Sequence, residues 1–115
     1  MLSKKYRFHR QNDVKRVYAR GDSARSGPFG LKYMKQSKPA DDRIAVVVSK
    51  KIDKRAVVRN RIRRRVYEII RNQLPEMKQG YDLVITVFNV SVARENSQEL
   101  KQRIIKLLHS AELMK

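Results

Sequence analysis

The chain has 115 residues, with 28 Lys or Arg against 11 Asp or Glu, a formal net charge of +17 and a pI near 10.7. This length suits one domain over residues 1–115 with a single core, and the charge asks for a polyanionic partner, nucleic acid first of all. The 41% hydrophobic content excludes a disordered basic tail. The absence of cysteine excludes disulfides and thiolate metal sites.

No secretory signal is legible, nor an apolar run of the roughly 18 residues a membrane span needs. The expectation is a cytoplasmic protein with no membrane partner.

The first expected element is a short helix over about Asp13–Arg20. Asn12 suits its N-cap, because the side chain accepts an orphan backbone N–H. Val14, Val17 and Tyr18 form its apolar stripe, and Gly21 suits a C′ position at positive φ. Phe29–Tyr33 alternates apolar and other residues, as a half-buried strand does. Residues 23–36 leave room for a further strand. Ser37–Asp42, around Pro39, reads as a turn.

Arg43–Ser49 contains the β-branched run Ile44–Val48 of a central strand. A helix is expected from about Ala56 to Gln73, ending near Pro75. After Gly80, Tyr81–Phe88 is another strong strand. The last helix starts near Ser97, where Asn96 and Glu99 have the spacing of an Asn-led capping box. Leu100, Ile104, Leu107, Leu108 and Ala111 form its buried stripe.

The order is α-β-β-β-α-β-α. Helices able to cover one face of a small central sheet give a mixed α/β (α+β) two-layer sandwich.

Within the second helix, residues 59–65 hold five arginines, yet Val58, Ile62, Val66 and Ile69 recur at helical spacing. The arginines are thus carried on a docked, rigid element. Projected at ~100° per residue, Val58, Ile62, Val66, Ile69 and Gln73 fall in one sector, with Asn60, Arg64, Tyr67 and Arg71 opposite. Arg59 and Arg63 lie on one flank, Arg61 and Arg65 on the other. Residues 50–71 carry ten basic and two acidic side chains, and residues 1–20 carry seven and one.

Arginine pairs its planar fork with phosphate oxygens, and Asn60 is placed to read a base edge or a 2′-hydroxyl. A merely solvated basic helix is the bland alternative, although an ordinary surface mixes both signs. The basic count does not choose RNA over DNA.

Val48-Ser49-Lys50-Lys51 followed by Ala56-Val57-Val58-Arg59-Asn60-Arg61-Ile62-Arg63-Arg64 resembles the signature of the bacterial ribonuclease P protein component, with its Arg-Asn-Arg motif on a helix after a strand. The likeness extends over nearly the whole chain. It implies an accessory subunit to a catalytic RNA, in an enzyme that removes 5′ leaders from precursor tRNA by metal-assisted phosphodiester hydrolysis. The implied partners are ribonuclease P RNA and precursor tRNA, with no obligate protein partner. The implied magnesium (Mg2+) is held mainly by the RNA. A left-handed β-α-β crossover is implied too, where the sequence alone suggests the commoner right-handed one.

By position, Arg59, Asn60, Arg61, Arg63 and Arg64 are the implied contacts to the catalytic RNA, assisted by Lys50, Lys51, Lys54 and Arg55. Tyr18, Phe29 and Tyr33 are implied for the leader cleft, where rings stack on unpaired bases. Core packing is the alternative for all three. Val14 belongs to the same cleft but stands where the family usually has an aromatic residue. Asp53 occupies a loop position where many members have glycine. Phe88-Asn89-Val90 lacks the basic residue often found there, with Arg94 as a possible substitute.

No catalytic site is legible on the chain. His9 and His109 lie far apart in sequence without evident partners, and Asp41-Asp42 suits a turn better than a metal site. No metal site and no Gly-rich phosphate loop is expected.

Three rival readings are a ribosomal protein or general RNA chaperone, a toxin-type endoribonuclease acting alone, and a helix-turn-helix DNA binder. The shortage of acid–base groups weighs against the toxin. The β-branched strands flanking the arginine helix weigh against the DNA binder.

Overall fold

Alternating β-branched and aromatic residues pair here into one four-stranded sheet. The computed structural model describes residues 11–36 and 42–115. Helix α1 (Gln11–Arg20) leads into strands β1 (Asp22–Ser26) and β2 (Phe29–Lys35), then β3 (Arg43–Val47), helix α2 (Ala56–Gln73), strand β4 (Tyr81–Val87) and helix α3 (Ser97–Ser110). The strand order is β1-β2-β4-β3. β1–β2 and β2–β4 are antiparallel. β3 runs parallel to β4 and reaches it through α2. The expected mixed α/β class and element order are both present.

The further strand for which residues 23–36 left room is β1, and it joins β2 in a tight hairpin. Ser26 pairs with Phe29, so Gly27 and Pro28 form a two-residue loop, with Gly27 at φ +56. That loop needs a residue tolerant of positive φ. Gly21 does not take the expected positive φ. Its role is close approach instead: a Cβ there would lie 2.5 Å from the Val17 carbonyl oxygen and 2.8 Å from that of Tyr33. Helix α1 starts at Gln11, so Asn12 is inside the helix rather than at its N-cap. The side chain of Asn12, the N-terminal basic stretch with His9, and residues 37–41 of the expected turn lie outside the described residues.

The period of two along each strand sorts side chains between the sheet faces. Phe29, Leu31, Ile44, Val46, Leu83, Ile85 and Val87 face one side. There they join Ile62, Val66 and Ile70 of α2 and Leu100, Ile104, Leu107 and Leu108 of α3 in one core. Gly30, Lys32, Asp82, Val84 and Thr86 face the other side. Helix α1 sits there, with Val17 and Val84 fully buried outside the main core. Burial of each valine contributes about 1.5–3 kcal/mol of transfer free energy. The helices therefore do not all cover one face: α2 and α3 share one side, and α1 crosses the other.

Side-chain hydrogen bonds fix the ends of these elements. Asn96 caps α3, its Oδ1 accepting from the N–H groups of Gln98 (2.8 Å) and Glu99 (3.3 Å). Asp82, buried on the α1 side, accepts from Arg43 Nη2 at 2.7 Å, Arg43 Nε at 2.9 Å and Gln36 Nε2 at 2.9 Å. A buried carboxylate tolerates its desolvation only when paired in this way. Asp42 accepts the Tyr81 N–H at 2.8 Å, which gives half of the acidic pair a structural role.

Candidate nucleic-acid interface

Two regions on opposite sides of the sheet gather the residues that the sequence singled out.

The first is built on the N-terminal half of α2. Helix α2 buries Ile62, Val66, Tyr67 and Ile70, with Val58 and Ile69 partly covered at the margin. Tyr67 is therefore not on the free face, where the helical projection put it. Its hydroxyl accepts the Val46 N–H at 3.1 Å, on the outer strand β3.

The face left open carries Val57, Asn60, Arg61 and Arg64, all exposed. Opposite them, β4 runs into a short 3-10 turn (Val90–Ala93), whose N-cap Asn89 accepts the Ser91 N–H at 2.9 Å. Between helix and turn lies a groove of about 970 Å³. Its walls include Arg55, Asn60, Arg61 and Arg64 from one side and Asn89, Ser91 and Arg94 from the other. Val57, 76% exposed, and Val90, 41% exposed, give it an apolar floor.

The arginines of this region divide by what they hold. Arg65 is a structural residue. It donates to the carbonyls of Val92 (2.7 Å) and Glu95 (2.5 Å) and to Ser97 Oγ (3.2 Å), tying α2 to the turn and to the start of α3. Arg59 donates through Nη1 to the carbonyls of Asp53 (2.9 Å) and Lys54 (2.8 Å), which steadies the loop before the helix.

Arg55 forms a two-pronged ion pair with Asp53, at 3.1 and 2.9 Å. That hydrogen bond, with a second from the Arg55 N–H, lowers the Asp53 carboxyl to about 2. Asp53 thus organises the loop and offsets one cation. Arg63 donates to Asn60 Oδ1. The Arg71 hydrogen bond to Glu68 keeps that carboxyl below its usual range. Lys50, Lys51, Lys54, Arg61 and Arg64 are exposed cations around the same region.

The second region is the sheet face under α1. Tyr18 is 41% exposed, and its hydroxyl shares a 2.7 Å hydrogen bond with Thr86 Oγ1. Val14 is partly buried on the same helix. Tyr18, Lys32, Thr86 and Phe88 line a cleft of about 450 Å³. Phe29 and Tyr33 are not in it, because odd positions of β2 face the opposite side. Phe29 is fully buried in the core and Tyr33 packs against it. Burial pushes the Tyr33 phenol up, with Asp22 and Glu112 adding to the shift. Of the four residues that the sequence grouped here, Tyr18 lines the cleft, Val14 stands one turn before it on α1 without lining it, and Phe29 and Tyr33 lie on the other side of the sheet.

Among the described residues, no group of three or more His, Cys, Asp and Glu side chains is placed to hold a metal ion. No helix there is long and apolar enough to cross a membrane.

The Ribonuclease P family model matches residues 2–112. The chain belongs to the ribonuclease P protein family. It is 38% identical over 114 residues to the ribonuclease P protein component of a Pseudanabaena species (strain PCC 6903), covering 99% of this chain and 97% of the relative. It is 34% identical over 129 residues to that of a Cyanothece species (strain PCC 7425), covering 99% and 98%.

The fold is shared with the RNase P protein of Staphylococcus aureus, at a TM-score of 0.83 and 21% identity over 96% of this chain and 98% of that one. It is shared also with the RNase P protein of Thermotoga maritima, at 0.80 and 22% over 90% and 96%. The chain is thus a protein subunit of ribonuclease P, a component of the endoribonuclease that processes tRNA, and the family implies an RNA partner.

Sequence reasoning left the roles of three features unassigned. Arg65 reads as one more cation of the run, and only its three acceptors reveal its role. The turn after β4 has no charge signal apart from Arg94. Phe88 reads as the last residue of a strand, whereas its side chain is exposed.

Proposed function

We propose that this subunit binds the catalytic RNA of ribonuclease P across the α2 groove and the 5′ leader of precursor tRNA on the sheet face under α1. The phosphodiester chemistry belongs to the RNA, with Mg2+ held mainly there. The protein's part is electrostatic and positional.

On the groove side, Arg61, Arg64 and Asn60 face the RNA backbone directly. Lys50, Lys51 and Lys54 add charge beside them. Arg55, Arg59 and Arg63 each have one hydrogen-bonding edge committed within the protein, so they contact phosphate with what remains while holding the loop and Asn60 in place. On the leader side, Tyr18 supplies a fixed ring next to Val14. Phe29 and Tyr33 are left out of the contact set because they face the core.

The observation that carries this reading is the groove between α2 and the turn after β4: a rigid wall of arginines with an apolar floor and polar groups opposite. Closely spaced fixed cations repel one another in free protein and are relieved by a polyanion. Contacts to phosphate make the affinity fall steeply with salt. Binding energy gained from the leader favours precursor over leaderless product. By weakening phosphate–phosphate repulsion, the subunit lowers the magnesium that the RNA requires.

The test is cleavage of a 5′-leader precursor tRNA at low magnesium by a bacterial ribonuclease P RNA, with and without the protein. Protein-dependent cleavage at the mature 5′ end, with none from protein alone, is the expected result. Cleavage by the protein alone, or salt-sensitive RNA binding that gives no stimulation of a cognate RNA, would overturn it. Localisation to the cytoplasm follows from the same reading, as the place where precursor tRNA is met.

A further inference from the structure

Phe88 lines the cleft under α1, but no part in binding has been assigned to it so far. It follows β4 directly, on the face shared by Val84 and Thr86, and its ring is 45% exposed.

The cross-strand row beside it runs Arg25–Gly30–Thr86, and Gly30 leaves a gap in that row. The ring edge of Phe88 fills the gap. A Cβ at position 30 would stand 2.7 Å from Phe88 Cε2 and 3.0 Å from Cζ. The Arg25 guanidinium carbon lies over the ring, 4.6 Å from its centroid, a cation–π geometry. The backbone is anchored as well, the Phe88 N–H donating to the Pro28 carbonyl at 2.8 Å. Phe88 is therefore a positioned ring with much of its surface open.

It borders the same 450 Å³ cleft as Tyr18 and Lys32, a volume in the range of small-ligand sites. Two aromatic rings with cations beside them are what an unpaired nucleotide needs: a π-face for the base and charge for its phosphate.

We propose that Phe88, backed by Arg25, is a stacking platform for one unpaired base of the bound leader, and that it supplies from the exit of β4 the aromatic surface that Val14 does not supply from α1. This inference rests on the reading of the α1 side as the leader face. The competing role is simple cover, because an aromatic side chain also stabilises a sheet by shielding a neighbouring glycine. The two roles make different demands. Cover needs only apolar bulk. Stacking needs a ring.

The experiment uses the holoenzyme assembled from this chain and a bacterial ribonuclease P RNA. Precursor tRNAs carry 2-aminopurine at successive leader positions, and binding is followed by fluorescence beside leaderless tRNA as control. Wild-type protein is expected to quench one leader position. Phe88→Leu keeps apolar cover over Gly30 but has no ring. It is expected to abolish that quench and weaken precursor binding about tenfold or more, with leaderless tRNA and the thermal midpoint near wild type. Phe88→Trp is expected to keep the quench. Gly30→Ala displaces the ring and is expected to resemble Phe88→Leu.

If Phe88→Leu binds precursor as wild type does, with the quench intact, the ring is cover only and the inference fails. Equal weakening toward precursor and leaderless tRNA also overturns it. If the wild-type holoenzyme does not distinguish precursor from leaderless tRNA, the leader reading itself fails and this inference falls with it.

Discussion

The α2 groove and the sheet face under α1 are both open and basic, but they are made of different things. The groove sets arginines on a helix, around two exposed valines and facing a wall that includes Asn89, Ser91, Arg94 and Glu95. The sheet face sets two rings, Tyr18 and Phe88, among fewer cations. A folded RNA offers phosphates in fixed array and few accessible bases, so rigid guanidinium forks suit it. An unpaired strand offers bases, which need π-surfaces. Charge alone therefore does not identify what a basic surface binds. The side chains between the charges do, and here they differ from one side of the sheet to the other.

The largest test of this contrast is charge reversal in the groove. Arg61→Glu with Arg64→Glu should weaken binding to ribonuclease P RNA by about two to four orders of magnitude, each lost phosphate contact being worth about 1.5–3 kcal/mol. The neutral pair Arg61→Ala and Arg64→Ala should reduce the slope of log affinity against log salt by about one per arginine. Discrimination of precursor from leaderless tRNA should survive in whatever complex forms. Its loss would merge the two regions into one site.

Next in size is Arg65→Ala. It leaves the Val92 and Glu95 carbonyls without their donor, at a cost of about 2–3 kcal/mol read in denaturant unfolding. Affinity per folded molecule should fall less than for Arg61→Ala. The reverse ranking would make Arg65 an RNA contact and break the division of the arginines.

Tyr67→Phe should cost about 1 kcal/mol by denaturant unfolding, with RNA binding unchanged.

The smallest effect concerns Asp53. Its folded carboxyl is lowered to about 2 by Arg55, against about 3.9 for an ordinary aspartate. The pair's contribution is therefore complete above about pH 4 and is lost as pH falls toward 2. An acid unfolding series on Asp53→Asn should lack that part of the wild-type pH dependence. A parallel acid profile in the two proteins would remove the pair from the loop's support.

Much of this was legible in the chain itself. The bounds of α2, Ala56–Gln73, match the expected ones, because an apolar stripe and a following proline mark both the extent and the end of a helix. Asn96 caps α3 as its spacing required. What the sequence could not show was which side of the sheet each element takes. The stripe Val14, Val17, Tyr18 says that α1 docks, not on which face. Only the strand pairing separates Tyr18 from Phe29 and Tyr33.

Tyr67 was misplaced for a related reason. A helix wedged between a sheet and another helix buries a wider sector than its aliphatic stripe, and a tyrosine at the margin can reach an acceptor or donor on the strand. The arginines were countable, but their hydrogen-bond partners lie far off in sequence, as Val92 does from Arg65.

That Tyr67 hydroxyl has a consequence for how the molecule coexists with its own copies. Strand β3 is an outer strand, and an outer strand with open N–H groups is a template on which another chain can add. In free protein, a charge of +17 keeps copies apart. Bound RNA replaces that positive field with the negative one of its phosphates. A geometric contribution does not depend on the sign of that charge: the phenol that occupies the Val46 N–H removes one of those open donors from the edge.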